Sequence, residues 1–217
     1  SSSVYGDSPE LPKREGQVGQ PLSPYAVTKV ANELYAAVFA RAYGIDTVGL
    51  RYFNVFGPRQ DPNGAYAAVI PRWIGQLIQH QPCIINGDGS TSRDFSYITN
   101  IVQANLLAAL SSEGQVGAVY NVGCGMRTSL LELFGMIRAG RASRLTDLEK
   151  AAPEFGPFRT GDVAHSQADI TKIQARLGYE VSHNVDKGIK ATVGWYLDRL
   201  TPAMVVDDGV ENFVKRG

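Results

Sequence analysis

Cysteine is scarce in this chain. Cys83 and Cys124 are the only two in 217 residues, too few and too far apart for a disulfide framework, and neither stands in a metal-ligand spacing. Histidine is scarce too: His80, His165 and His183 are scattered, so no metal site is read and none is expected. No charge of one sign dominates, since 21 Lys and Arg balance 21 Asp and Glu. That balance excludes broad attraction to nucleic acid or to an anionic membrane, but allows a few arginines around one small anion. No run of about 18 apolar residues occurs, and the first residues lack a basic-then-apolar pattern. A cytoplasmic protein acting on a small molecule is the expectation, with no nucleic-acid or membrane partner.

What is present is ordinary for a globular protein, 44% hydrophobic and 19% charged, in a chain long enough to bury a core. The opening "SSSVYG" reads as the end of a parallel strand running into a turn. "SPYAVTKVANELYAAVFARAYG" is a punctuated helix: Ser23 suits the N-cap, Pro24 the first turn, and Gly44 the left-handed position after the last turn. "IDTVGLRYFNVFG" then reads as a buried strand, so helix and strand form the αβ half of a parallel-sheet unit. "AAVIPRWIGQLIQHQ" reads as a helix entered through Pro71. "PCIINGDGSTSRDFSYI" holds a short strand, a Gly-Asp-Gly turn and an Arg-Asp pair. An amphipathic helix closed by Gly114, the short strand "AVYNVGCG" and the helix "SLLELFGMIRAG" follow. "APEFGPFRTGDVAHSQAD" reads as a long irregular loop, "ITKIQARLGYE" and "DKGIKATVGWYLDRL" as closing helices, and residues 201–217 as a loose tail. The early part is α/β, and the later part is helices joined by long loops.

Tyr25 and Lys29 are four residues apart on the first helix, so they share one face, a turn apart. An ammonium beside a phenol favours the phenolate, which makes a tyrosine a usable general base. With ten tyrosines in the chain, chance alone gives ~0.3 such pairs, so the spacing by itself is weak.

The order of motifs adds the rest. "SSSVYG", "SPYAVTK", "LRYFNVFGPRQ" and "SRDFSYI" follow one another as they do in the extended short-chain dehydrogenase/reductase superfamily, and the chain most resembles its nucleotide-sugar 4-epimerases from residue 1 to about 200. The resemblance implies the C-terminal part of a Rossmann-type parallel sheet plus a smaller, mostly helical nucleotide-sugar domain. Residues 1–58 and 94–123 would belong to the first, and 59–93 and 124–200 to the second. It implies NAD as cofactor and a UDP-sugar as substrate, with Ser1 as catalytic hydroxyl and Tyr25 as base. Lys29 would hold the nicotinamide ribose, with Tyr52 and Phe53 packed near the nicotinamide. Asn54 would contact the sugar and phosphate. Val69, within "AAVIP", would line the uridine, with Ile85 and Asn86 across from it. Arg93 of "SRDF" and Arg159 of "FRTGD" would clamp the diphosphate, a task that suits the guanidinium fork. The implied reaction withdraws the proton of the sugar 4-hydroxyl as hydride leaves C4, turns the flat 4-keto sugar, and reduces its other face.

The same resemblance bears on the sugar. Ser166, seven places after Arg159, would border the C2 substituent, and a small side chain there leaves room for an N-acetyl group. Ser2 and Ala68 resemble pocket contacts of the N-acetyl-preferring members. Ala164 departs from close relatives, which often carry arginine there. UDP-GlcNAc and UDP-GalNAc are thus expected, with UDP-Glc and UDP-Gal weakly excluded. A homodimer is implied for the complete enzyme.

A dinucleotide fold also needs a glycine-rich phosphate loop after its first strand. "NGDGS" and "NVGCGM" do not stand there, so an N-terminal half on the order of 100 residues is expected to lie outside this sequence. Two other readings stay open: a related dehydratase or 4-reductase, against which "SSSVYG" offers no acid before Asp7, and a non-catalytic nucleotide-sugar-binding remnant.

Overall fold

The computed structural model describes residues 1–64, 68–111, 117–142, 152–158 and 163–199. Ser1 and Ser2 belong to a 3-10 turn over Ser2–Tyr5 rather than to a strand end. Within the turn, Val4 N–H donates to the Ser1 carbonyl at 3.3 Å and Gly6 N–H to that of Ser3 at 3.2 Å. Helix α1, Pro24–Tyr43, has the caps its sequence asks for: Ser23 Oγ accepts from Ala26 N–H at 3.1 Å, and Gly44 adopts φ 63°. α1 buries only Ala26 among its residues.

The apolar stretch after α1 divides into two strands, β1 (Gly49–Tyr52) and β2 (Asn54–Phe56), because the chain changes neighbours at Phe53. Phe53 N–H donates to the Val122 carbonyl at 3.1 Å, and Asn54 N–H to that of Asp94 at 3.0 Å. Helix α2 (Val69–Ile78) begins two residues before Pro71 and leads to β3 (Ile84–Asn86). Short β4 (Ser92–Arg93) and β5 (Phe95–Tyr97) precede helix α3 (Ile98–Ala109). Then come β6 (Val119–Val122), β7 (Thr128–Ser129) and helix α4 (Leu130–Ala142). The segment expected to be irregular contains strand β8, Glu154–Gly156, and the chain closes on α5 (Thr171–Leu177) and α6 (Val185–Leu197). The expected tail and the Gly114 helix stop lie outside the described residues.

β1 runs parallel to β6, β2 to β5, and β3 to β8, while β4 pairs antiparallel with β7. This is the α/β parallel-sheet architecture expected. One core gathers α2, α4 and α6 around Phe56, Ile85, Phe95 and Tyr97. A second joins α3, β6 and α5 through Ile101, Tyr120, Val122, Ile173 and Tyr179, so α5 packs with the sheet and not with the later helices. α6 lies so close to β5 that a Cβ at Gly188 would sit 2.8 Å from the Phe56 ring and 2.9 Å from Tyr97 Cβ. No helix among the described residues is long and apolar enough to cross a membrane.

Asp94, fully buried between β4 and β5, ties these parts together. One carboxylate oxygen accepts Cys124 N–H at 2.8 Å, and the other accepts Gly125 N–H at 2.9 Å and Ala168 N–H at 3.1 Å. Burial nevertheless outweighs these bonds and pushes the carboxyl up to about 6. A carboxyl that holds its proton more tightly when folded adds stability below about pH 4, and that contribution is lost as pH rises through about 6. Asp94→Asn removes this dependence but turns an amide donor toward backbone donors. It should cost about 1–3 kcal/mol at pH 7 and flatten the stability profile between pH 4 and 6, read by urea unfolding. A neutral or stabilising substitution would contradict the pinning role.

Candidate active site

Two cavities meet at Asn54 and Val55, at the start of β2. The larger, an open cleft of about 670 Å³, is walled by Ser1 and Ser2 of the first turn, Tyr25, Lys29 and Glu33 of α1, and Tyr52, Phe53 and Asn54. Tyr25 is 58% exposed. Lys29 Nζ lies 5.1 Å from the centre of its ring, within cation–π range. Helical spacing alone brings that pair together; the strand switch at Phe53 brings Asn54 to them. Ser1 Oγ accepts from the Ser3 hydroxyl at 2.9 Å and from Ser3 N–H at 3.2 Å. Tyr52 spends its hydroxyl on Asn105 Oδ1 of α3, at 2.9 Å. Phe53 is buried, in tilted contact with Tyr5.

The smaller cavity, about 340 Å³, has Ala68, Val69, Arg72 and Trp73 of α2 and its approach on one part of its wall, with Ile84, Asn86, Thr91, Arg93, Phe158 and Ala164 on others. Arg72 and Arg93 are the charged residues of this wall, which includes no acid among the described residues. Arg93 Nη1 donates to the carbonyls of Ser92 at 3.0 Å and Ala164 at 3.2 Å, which holds the guanidinium across to the 163–168 segment.

Of the residues expected at a site, Ser1, Ser2, Tyr25, Lys29, Tyr52, Phe53 and Asn54 line the cleft, and Asn54, Ala68, Val69, Asn86 and Arg93 line the smaller cavity. Ile85 does not. Side chains alternate along a strand, so Ile85 is buried in the core and Ile84, 47% exposed, takes the place on the wall. Ser166 lies beside the cavity without lining it; its N–H donates to the Ser92 carbonyl at 3.0 Å. Arg159 lies outside the described residues.

Ile84, Arg72, Thr91 and Phe158 are among the wall residues that the sequence reading missed. Strand alternation from Asn86 would have found Ile84. Arg72, just after Pro71 in the first turn of α2, would have followed from the "AAVIP" segment. Phe158 could not be found locally, because β8 reaches the cavity only by pairing with β3. Its ring, 67% exposed, lies over Gly87. A Cβ at Gly87 would come 2.3 Å from that ring, and the residue has φ +81°. Cys124 offers no nucleophile, since burial pushes its thiol up to about 11.

The cleft fits the nicotinamide-ribose end of a dinucleotide: a lysine with free room before it, aromatic residues at its wall, and a phenol exposed to the same space.

A model of the NAD dependent epimerase/dehydratase family matches residues 1–123. The UDP-glucose 4-epimerase of Mycolicibacterium smegmatis is 36% identical over 197 residues, covering 91% of this chain and 60% of that protein. Among solved structures, a UDP-N-acetylglucosamine 4-epimerase from Methanobrevibacter ruminantium, in complex with UDP-N-acetylmuramic acid, superimposes with TM-score 0.84 at 38% identity, over 92% of this chain and 62% of that one. A UDP-glucuronic acid 4-epimerase from Bacillus cereus, in complex with UDP-glucuronic acid and NAD, gives TM-score 0.80 at 30% identity, over 91% and 60%. The chain thus spans about 60% of the length of the relatives it matches.

Gly87→Ala should cost about 1–3 kcal/mol in urea unfolding, from the left-handed backbone and the displaced ring. Phe158→Ala should cost far less, since that ring is largely exposed. Equal, small effects of the two would argue against the Gly87–Phe158 contact as a fixed part of the wall.

Proposed function

Since the chain belongs to the NAD dependent epimerase/dehydratase family, we propose that it carries the proton-transfer and substrate-binding machinery of an NAD-dependent 4-epimerase of UDP-N-acetylhexosamines. The observation behind this reading is the pair of joined cavities. One has a Ser, Tyr and Lys on its wall, the other has two arginines, and Asn54 belongs to both.

The diphosphate of the substrate lies against Arg93 and Arg72, whose guanidinium forks suit phosphate oxygens. The uracil ring rests among Val69, Ile84, Asn86 and Phe158, where an apolar wall with one amide suits a planar base. The sugar crosses the junction at Asn54, which brings its 4-hydroxyl to Tyr25 and Ser1. Tyr25 accepts the hydroxyl proton and later returns it, Ser1 donates a hydrogen bond to the same oxygen, and Lys29 places a positive charge beside the Tyr25 ring. Lys29, Tyr52 and Phe53 would hold NAD, which when bound takes up and returns the hydride of the sugar C4.

The N-acetyl preference rests on Ser2, small and on the cleft wall beside Ser1, and on Ala68 and Ala164 across the junction. The similarity to a UDP-N-acetylglucosamine 4-epimerase supports the same preference. A homodimer belongs to the proposal as well, since α1 leaves Leu34, Tyr35, Val38 and Phe39 exposed.

Calorimetric titration with UDP and with UDP-GlcNAc tests the reading. Both should bind, and Arg93→Ala should weaken each about 10–100-fold, the loss of a charge-assisted contact worth about 1.5–3 kcal/mol. Tyr25→Phe should leave UDP binding unchanged and abolish sugar interconversion when NAD is bound. UDP binding indifferent to Arg93 would refute the assignment of the arginine-lined cavity.

A further inference from the structure

Among the α1 residues that line the cleft, Tyr25, Lys29 and Glu33 stand at successive turns. The first two have a role in the proposed chemistry; Glu33 does not. Both of its oxygens are taken by a guanidinium from the neighbouring strand, with Arg51 Nε on Oε1 at 2.8 Å and Nη2 on Oε2 at 2.8 Å. The third nitrogen, Nη1, donates to the Tyr5 hydroxyl at 3.1 Å and to the Glu15 carbonyl at 2.9 Å. Arg51 is buried in β1, one residue before Tyr52 and two before Phe53.

This one side chain therefore touches all three parts of the cleft. It grips the reactive helix through Glu33, and the serine-bearing turn through Tyr5, which in turn donates to Asn121 Oδ1 at 2.6 Å. It sits on the strand that leads to Asn54. The other anchors of α1 are apolar, the buried Ala26 and the partly buried Val30 packed against the Val4, Tyr5 and Phe53 cluster, and the fork is its one ion-pair attachment among the described residues.

Building on the proposed function, we infer that Arg51 is a positioning residue for Tyr25 and Lys29, acting through Glu33. The fork does two things. It fixes the rotation of α1 about its axis, and it keeps the Glu33 carboxylate occupied. Without Arg51, Glu33 is a half-buried carboxylate with no partner, one helical turn from the Lys29 ammonium. The nearest cation on its face is then Lys29, which leaves the Tyr25 ring to pair with it. Lysine cannot substitute for arginine here, because a single ammonium has no planar fork for two carboxylate oxygens.

The inference predicts a rescue that simple loss of structure does not. In the chain carrying isotope-labelled lysine, the Lys29 ε-methylene signal, assigned with Lys29→Arg, should show the upfield ring-current shift of a group over a tyrosine ring. Arg51→Met should move it to the position of an exposed lysine. Adding Glu33→Gln, which removes the competing carboxylate, should return it toward its original place. UDP affinity, reporting the separate arginine-lined cavity, should stay within about twofold across all three proteins. An unchanged Lys29 signal in Arg51→Met, no return in the double variant, or loss of UDP binding with Arg51 alone would each overturn the positioning role. Failure of UDP to bind any of the proteins would instead strike at the proposed substrate, and the Lys29 signal would still decide the role of Arg51.

Discussion

The hydrogen bond from Asn54 N–H to the Asp94 carbonyl, 3.0 Å long, is where the architecture and the chemistry meet. One residue earlier the chain still belongs to the β6 edge, through Phe53 N–H on Val122. By changing neighbours between these two residues it passes from one core to the other and leaves Asn54 on the boundary between both cavities. Asp94 fixes the other side of that bond. Its carboxylate collects backbone donors from 124, 125 and 168, so β2, the glycine-rich turn after β6 and the segment leading to α5 are registered against one buried group. A proton-transfer group and a phosphate-binding group on separate elements can serve one ligand only if such a joint holds their spacing.

Much of this was legible in the sequence, and the reason differs from one element to the next. α1 has a serine cap, a proline in its first turn and a terminal glycine, signals that act within a few residues. The Tyr25–Lys29 contact follows from helical spacing alone. The break at Phe53 was not legible, because a run of Leu, Tyr, Phe and Val looks the same whether it keeps one neighbour or exchanges it for another. β8 was hidden for the same reason. Its pairing with β3 joins residues about 70 positions apart in a stretch with no internal period, and long-range pairing leaves no local mark. Ile85 and Ile84 were confused at the level of a single residue, where knowing that a strand is present does not say which of its faces is buried.

Charge is distributed with the same economy. The protein is neutral overall, and the bidentate Arg51–Glu33 fork is largely withdrawn from solvent. The arginines that remain on the wall of the smaller cavity thus act on a near-neutral background. Attraction for an anion is local there, and it does not extend over the surface as it would in a basic protein.

The sparse anchoring of α1 has a mechanical meaning. The arginine-lined cavity shares Trp73, Phe56 and Phe95 with the main core, so that part of its wall yields only when the core opens. α1 is held by a cap, one buried alanine, an ion-pair fork and contact with the first turn, and its local opening free energy is set by those few attachments. The two halves of the site therefore differ in compliance. On the proposed reading, a nucleotide would be gripped by the stiff half, while the sugar would face a helix able to shift by small amounts without disturbing that grip. For a ring that must present first one face and then the other, a rigid anchor beside a yielding wall is a workable division.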